Sequence, residues 1–184
     1  NAVPLYAFAN HRITKHLIKD MPLRVSALRS LGAYMNVFSI ESSMEEIAHQ
    51  QGEDPIDFRI RHLADQRAIT VLNKLREQIA SAGMDHAAPS AGVGIGMARY
   101  KNSGAYCAVA ILVRVDLENG KIKLDHAVCA VDVGMVINPD GVINQIEGGL
   151  IQSASWTVKE QIRFGRDGVE SNDWASYPIL TFPE

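Results

Sequence analysis

Residues 130–160 read AVDVGMVINPDGVINQIEGGLIQSASWTVKE, and the fold is read outward from them. The apolar, β-branched run up to Val133 predicts a buried strand. Asn138-Pro139-Asp140-Gly141 predicts a tight turn. From near Val142, the residues Ile143, Ile146, Leu150 and Ile151 fall on one face of a predicted helix, with Trp156 further along. Gly148 and Gly149 each cost such a helix roughly 1 kcal/mol relative to alanine. A helix that keeps two adjacent glycines usually does so for close packing or for a ligand. The stretch also gathers Asp132, Asn138, Asn144, Gln145, Glu147 and Gln152, rich in hydrogen-bonding groups and poor in positive charge. That mixture suits a ligand held by directional hydrogen bonds. Gln145 and Gln152 are seven apart and share nearly the same face. With a helix starting near Val142, Gln145 falls in the first turn or so, where side chain and backbone N–H groups can serve one ligand together. An exposed glutamine without a ligand is the alternative.

Upstream, Tyr106–Val115 is apolar and β-branched, and Lys121–Val133 returns as its partner across Glu118-Asn119-Gly120. This predicts an antiparallel hairpin over Ala105–Val133. Gly92, Gly94 and Gly96 have the look of a dinucleotide loop. That motif needs a strand before it and a helix after it, whereas here a Pro-Ser loop precedes and a strand-like run follows. The glycines are better explained as letting a strand bend or another backbone approach.

The first half reads as helical. Residues 1–24 are irregular, and 24–40 have no clear period. Arg29 and Gly32 sit there in a loop that could place a guanidinium at a phosphate or a carbonyl, or could be an ordinary exposed turn. A helical pattern begins at Glu41, with Ile40, Met44, Ile47 and Ala48 on one face and Gly52 as its end. The glutamates Glu41, Glu45 and Glu46 are most simply a solvated face. Asp54-Pro55 predicts an N-cap and first position for a short second helix. Ala68–Ala82 predicts a third, with the stripe Ile69, Leu72, Leu75 and Ile79, ended by Gly83. The loop 83–91 is the natural boundary between a helical part, 1–83, and a strand-rich part, 92–184. Downstream, Trp174–Leu180 reads as a last strand.

Bulk composition restricts the function classes. With 184 residues, 47% hydrophobic and 21% charged, the chain is an ordinary globular sequence with a substantial core. A net charge of −3 argues against a nucleic-acid partner. No apolar run reaches the roughly 20 residues a membrane-spanning helix needs. Cys107 and Cys129 read as two buried thiols, their spacing offering neither a disulfide nor a metal site. The six histidines, His86 among them, are scattered, so no metal ligands are expected. The start NAVPLYAFAN carries no secretory signal and looks like the inside of a longer chain. The chain is expected to be soluble, with cytoplasm and periplasm both open.

Four segments together resemble the molybdenum-binding large subunit of the xanthine dehydrogenase and aldehyde oxidase family, most of all its isoquinoline 1-oxidoreductase type. They are LRSLGAYMNVFSIESSMEEIA (28–48), GEDPIDFRIRHL (52–63), residues 103–153 with their AVDVG, NP and QIEGG signatures, and NDWASYPIL (172–180). The resemblance implies an α+β fold: helices, then an antiparallel β-hairpin or sheet, then a long packed helix that contacts the cofactor. It implies molybdopterin as cofactor, with a cytosine dinucleotide form as one option, and iron–sulfur clusters on a separate small subunit. It matches Arg29 and Gly32 to the family's cofactor-holding Arg-x-x-Gly loop, Leu31 to its substrate-pocket position, and Gln145 to its cofactor-contacting glutamine. Gln152-Ser153 stands where the family often has Gln-Gly.

The implied reaction is hydroxylation of an N-heteroaromatic ring or an aldehyde with oxygen from water, the cofactor carrying the hard chemistry. The family's base is a glutamate in a Gly-Glu motif beyond the last matched segment. Glu184 is not it, and no catalytic residue is assigned in this chain. A glycine-rich loop with a Gly-Gln pair is absent as well. The expectation is an interior piece of a longer large subunit, inactive alone, that works with the rest of that large polypeptide and the iron–sulfur partner. The competing expectation is a noncatalytic α+β scaffold in which Arg29 and Gln145 do structural work.

Overall fold

The computed structural model describes residues 2–23, 27–84, 88–101 and 104–182. Arg24, His86, Ser103 and Glu184, which fall in the segments named above, lie outside them. The chain forms two compact units. Residues 1–16 and 26–134 make the first, and residues 17–25 and 135–184 the second.

The first unit holds three helices and a sheet: α1 (Ala33–Gln51), α2 (Pro55–Arg61), α3 (Gln66–Ser81), β1 (Ala91–Tyr100), β2 (Ala105–Val115) and β3 (Ile122–Asp132). The strands are antiparallel in the order β1-β2-β3. The predicted hairpin is therefore present, and Gly120 takes the left-handed conformation, φ 71°, that its tight turn requires. Met97, Ala108 and Ala130 occupy one row across the three strands and are buried. The small alanines let Leu72 and Leu75 of α3 and Met44 and Ala48 of α1 join them in one core. The helices therefore pack on the strands, and the change from helices to strands at 83–91 falls inside one compact unit.

The helix ends follow their sequence signals. Asp54 caps α2 by accepting from the N–H groups of Ile56 and Asp57, and Pro55 takes the first position. Gly52 ends α1 in the left-handed region, φ 66°. The start of α1 differs from expectation by two turns. It begins at Ala33, not Glu41, because Tyr34, Met35 and Phe38 lie on its exposed side and blur the apolar stripe.

The glutamate run is the larger correction. Glu41 is buried, and its carboxylate accepts from Tyr6 Oη at 2.7 Å, Arg59 Nε at 3.0 Å and the Met97 N–H at 3.0 Å. Arg59, fully buried, also donates to Glu45 at 2.8 Å and to the Pro55, Glu41 and Ile95 carbonyls. An arginine delivered by α2 draws Glu41 and Glu45 into an ion-pair network, while Glu46 stays exposed as expected.

In the second unit, α4 (Pro139–Val158) precedes a small hairpin of β4 (Phe164–Gly165) and β5 (Gly168–Val169). Asn138-Pro139-Asp140-Gly141 is a helix start and not a free turn. Asn138 Oδ1 accepts from the Gly141 N–H at 3.1 Å, and Pro139 fills the first position. Trp174–Leu180 is not a strand. Asp173 nucleates a turn there by accepting from the Ser176 N–H at 2.8 Å. The Leu180 N–H then donates to the buried Ser155 Oγ at 3.0 Å, which ties this segment to α4.

Candidate functional site

Two loci carry the residues singled out from sequence, one in each unit. The first is a cavity of about 520 Å³ in the first unit. Arg29, Ser30 and Leu31 form one wall, Ile40 and Glu41 of α1 another, and Met97–Lys101 of β1 a third. The lining is mostly aliphatic, with cationic groups from Arg29, Arg99 and Lys101. Arg99 is paired with Asp65 at 3.1 Å. The structure thus brings Arg29 and Leu31 to one concave surface.

The loop that presents them is strained. Ala27, Ser30 and Leu31 have φ of 58°, 68° and 50°, which non-glycine residues seldom adopt. Successive left-handed residues turn the backbone sharply, and the Leu31 and Ala33 N–H groups close back on the Leu28 and Ser30 carbonyls at 3.1 and 2.9 Å. Backbone held this way is found at ligand-binding loops. Gly32 follows as the N-cap residue of α1 with φ −71°. A Cβ there would meet only Asn36 Nδ2 at 3.5 Å, so neither dihedral nor space within this chain demands glycine.

Under the cavity lies the Glu41–Arg59 network that sequence reading missed. Burial pushes the Glu41 carboxyl up, while Arg59, Tyr6 and the Met97 amide pull it back. The only sequence signal was an arginine in the short apolar helix PIDFRIR, a residue type seldom buried without a partner.

The second locus is α4. Because the helix starts at Pro139, Gln145 lies in its second turn. Its backbone N–H is inside the helical ladder, so only the side-chain amide is available to a ligand. This corrects the expectation that side chain and free N–H groups act together. Gln145, Gly148, Gly149 and Gln152 follow one another at i, i+3, i+4 and i+7, on a common face. Gln145, Gly148 and Gln152 are exposed, and a Cβ built at Gly148 meets nothing within 4 Å. Gly148 leaves open space on that face beside the exposed Gln145 amide, which carries a carbonyl oxygen and two N–H donors. Other polar residues of this stretch have internal duties. Asn138 caps the helix, and Asn144 Nδ2 donates to the Asp140 carbonyl at 3.0 Å. Asp132, at the end of β3 in the first unit, holds Arg67 through two 2.7 Å hydrogen bonds. Arg67 drives the Asp132 carboxyl down to about 2, helped by the Gly134 amide.

Among the described residues, no group of three or more potential metal-ligating side chains clusters. By donor chemistry, the exposed Gln145 amide suits a pterin edge, and the cationic groups lining the first unit's cavity suit a phosphate. No helix among the described residues is long and apolar enough to cross a membrane.

The family model of the molybdopterin cofactor-binding domain matches residues 32–184. That range includes Gly32 and Gln145, while Arg29 and Leu31 precede it. One of the subunits of nicotinate dehydrogenase from Pseudomonas putida is 37% identical over 100% of this chain and 16% of its own length. The beta chain of isoquinoline 1-oxidoreductase from Brevundimonas diminuta is 30% identical over 85% of this chain and 20% of its own. One of the subunits of a probable xanthine dehydrogenase from Bacillus subtilis is 35% identical over 38% of this chain and 10% of its own. The chain therefore spans a fifth or less of these relatives' lengths. The α+β order of helices, antiparallel sheet and long helix is the one the resemblance implied. This chain belongs to the molybdopterin cofactor-binding domain family.

Proposed function

We propose that the chain is the cofactor-contacting part of the large subunit of a molybdenum hydroxylase that acts on an N-heteroaromatic ring or an aldehyde, with water as oxygen source. The observation that carries this reading is the exposed Gln145 amide of α4, with open space at Gly148 on the same face, inside the family-matched segment. The names of two relatives, a nicotinate dehydrogenase and an isoquinoline 1-oxidoreductase, favour heteroaromatic substrates. The helical part, 1–83, and the strand-rich part, 92–184, are then two stretches of one cofactor-binding region of a longer polypeptide.

In this reading the Gln145 amide holds the molybdopterin through hydrogen bonds that its side chain can both donate and accept. Arg29 supplies a charge-assisted donor, and Gly32 keeps the loop small where the cofactor passes. Leu31 gives the cavity an aliphatic wall for a flat ring. When bound, the cofactor supplies the oxidation chemistry, and the protein supplies position and hydrogen bonds. The cofactor is of the molybdopterin or cytosine dinucleotide form. Electrons leave through iron–sulfur clusters on a separate small subunit. This chain carries no base for the reaction and does not turn over alone.

Metal and pterin analysis of the full-length parent, co-expressed with its small subunit, tests the reading. Stoichiometric molybdenum and pterin are expected, with loading or activity lost in Gln145→Ala. A well-folded parent without molybdenum, in a host that makes the cofactor, would overturn the assignment. Turnover by the 184-residue chain with an artificial electron acceptor would overturn the inactivity. Release of a cytosine nucleotide on acid hydrolysis decides the cofactor form.

A further inference from the structure

Cys107 and Cys129 look unrelated in sequence, being 22 residues apart. The β2–β3 register pairs Cys107 with Val131 and Val109 with Cys129. The two cysteines are thus diagonal neighbours on one face of the sheet, opposite the face carrying Tyr106, Ala108 and Ala110. Their sulfurs lie 3.4 Å apart in an S–H···S contact, and both residues are free and half-buried. Across β1 the same face shows Ala98, Gly96 and Gly94, and a Cβ built at either glycine meets nothing within 4 Å. The thiols therefore sit on an aliphatic surface with open space beside them. Their mutual hydrogen bond holds Cys107 below the usual thiol value and pushes Cys129 above it.

The diagonal offset narrows what this pair can do. Diagonal neighbours on paired strands have backbones about 7–8 Å apart. A disulfide prefers Cα atoms less than about 6.8 Å apart, so closing one here would strain the ladder. A tetrahedral zinc needs four ligands and, with Zn–S bonds of about 2.3 Å, holds its sulfurs about 3.8 Å apart. No third ligand joins these two among the described residues. A pyramidal centre with bonds of similar length, about 2.3 Å, meeting near a right angle spans about 3.3 Å and needs only two thiols.

We propose that Cys107 and Cys129 form a two-thiol binding site for a trivalent, pyramidal thiophile, of which a monosubstituted arsenous acid is the type. The reaction is redox-neutral. Two As–O bonds break, two As–S bonds form, and the two hydroxides leave as water with the two thiol protons. Arsenic stays trivalent and neither sulfur is oxidised. The second As–S bond is intramolecular, so its effective concentration strengthens retention about 100-fold or more over one thiol.

The test is titration of the folded 184-residue chain with phenylarsonous acid, read by intact mass and by thiol count. One adduct per chain is expected, with the loss of two waters and of both titratable thiols. It should survive excess 2-mercaptoethanol and be removed by a 1,3-dithiol. Cys107→Ser and Cys129→Ser, and the matching alanine variants as a check on folding, should each lose the adduct under the same monothiol challenge. Retention of the adduct by either folded single variant, or reaction of the wild type only after unfolding, would overturn the proposal. So would ready closure of a Cys107–Cys129 disulfide by diamide in the native chain.

Discussion

Replacing Arg59 by methionine removes the central cation of the first unit. Arg59 is fully buried and makes hydrogen bonds to two carboxylates and three backbone carbonyls. Methionine keeps much of the volume but leaves the buried Glu41 charge without its cation. Breaking a buried ion pair from one side costs about 3–5 kcal/mol. Glu45 adds little to the loss, because it is partly exposed and can turn to water. A urea unfolding comparison at pH 7 should therefore show a destabilisation in that range with an unchanged slope. The pH dependence gives a second readout. Burial already raises the folded-state pKa of Glu41, and Arg59 opposes that rise. A carboxyl with a raised folded pKa stabilises most below its unfolded value and loses that contribution as pH rises through the folded pKa. Without Arg59 the rise grows, so the deficit should be smallest in acid and widen toward neutral pH. Glu41→Gln added to Arg59→Met should recover part of the loss, because no charge is then left unpaired. A deficit below about 1 kcal/mol, or one that ignores both pH and the Glu41 partner, would refute the argument.

At β3, the carbon resonance of the Asp132 carboxyl should titrate near 2, as the paired Arg67 requires, and should move up in Arg67→Ala. Since this pKa is depressed in the fold, its contribution to stability is present above the unfolded value and fades as pH falls through about 2. Asn138→Ala removes the cap of α4 and should cost about 1 kcal/mol in urea unfolding, with Asn138→Asp close to neutral. Gly148→Ala meets open space, so the isolated chain should gain up to about 1 kcal/mol. The same change should lower molybdenum loading in the full parent, since the added methyl enters the open space beside the Gln145 amide.

Local signals of the fold were legible wherever one residue type does one job. Asp54-Pro55 opens α2, Gly52 closes α1, and Glu118-Asn119-Gly120 turns the hairpin, because each answers a backbone requirement within a few residues. The signals failed where a distant partner decides. Glu41 and Glu45 look solvated until α2 delivers Arg59. Cys107 and Cys129 look independent until the register sets them side by side. The start of α1 was hidden for a different reason: Tyr34, Met35 and Phe38 keep apolar surface on the outside, so the stripe on which periodicity depends is not one-sided.

The candidate site was legible in a similar way. Arg29, Leu31 and Gly32 were marked by a motif, but the reason for the loop's prominence lies in the backbone. The φ values of Ser30 and Leu31 turn the loop so that Arg29 and Leu31 share one cavity wall, and sequence periodicity carries no trace of that. On α4, residue type sufficed for the face and not for the mechanism. Two glutamines at helical spacing around a glycine pair were enough to mark a shared face of the helix. Whether backbone N–H groups join them depends on where the helix begins. The Asn138 cap and Pro139 move that start three residues upstream, which places Gln145 past the free N–H groups of the first turn. An arrangement that relies on side-chain amides tolerates little change at those positions. Asparagine at Gln145 would withdraw the amide by one methylene while leaving the helix intact. Gln145→Asn should therefore separate reach from mere hydrogen-bonding capacity, losing cofactor in the full parent without losing fold.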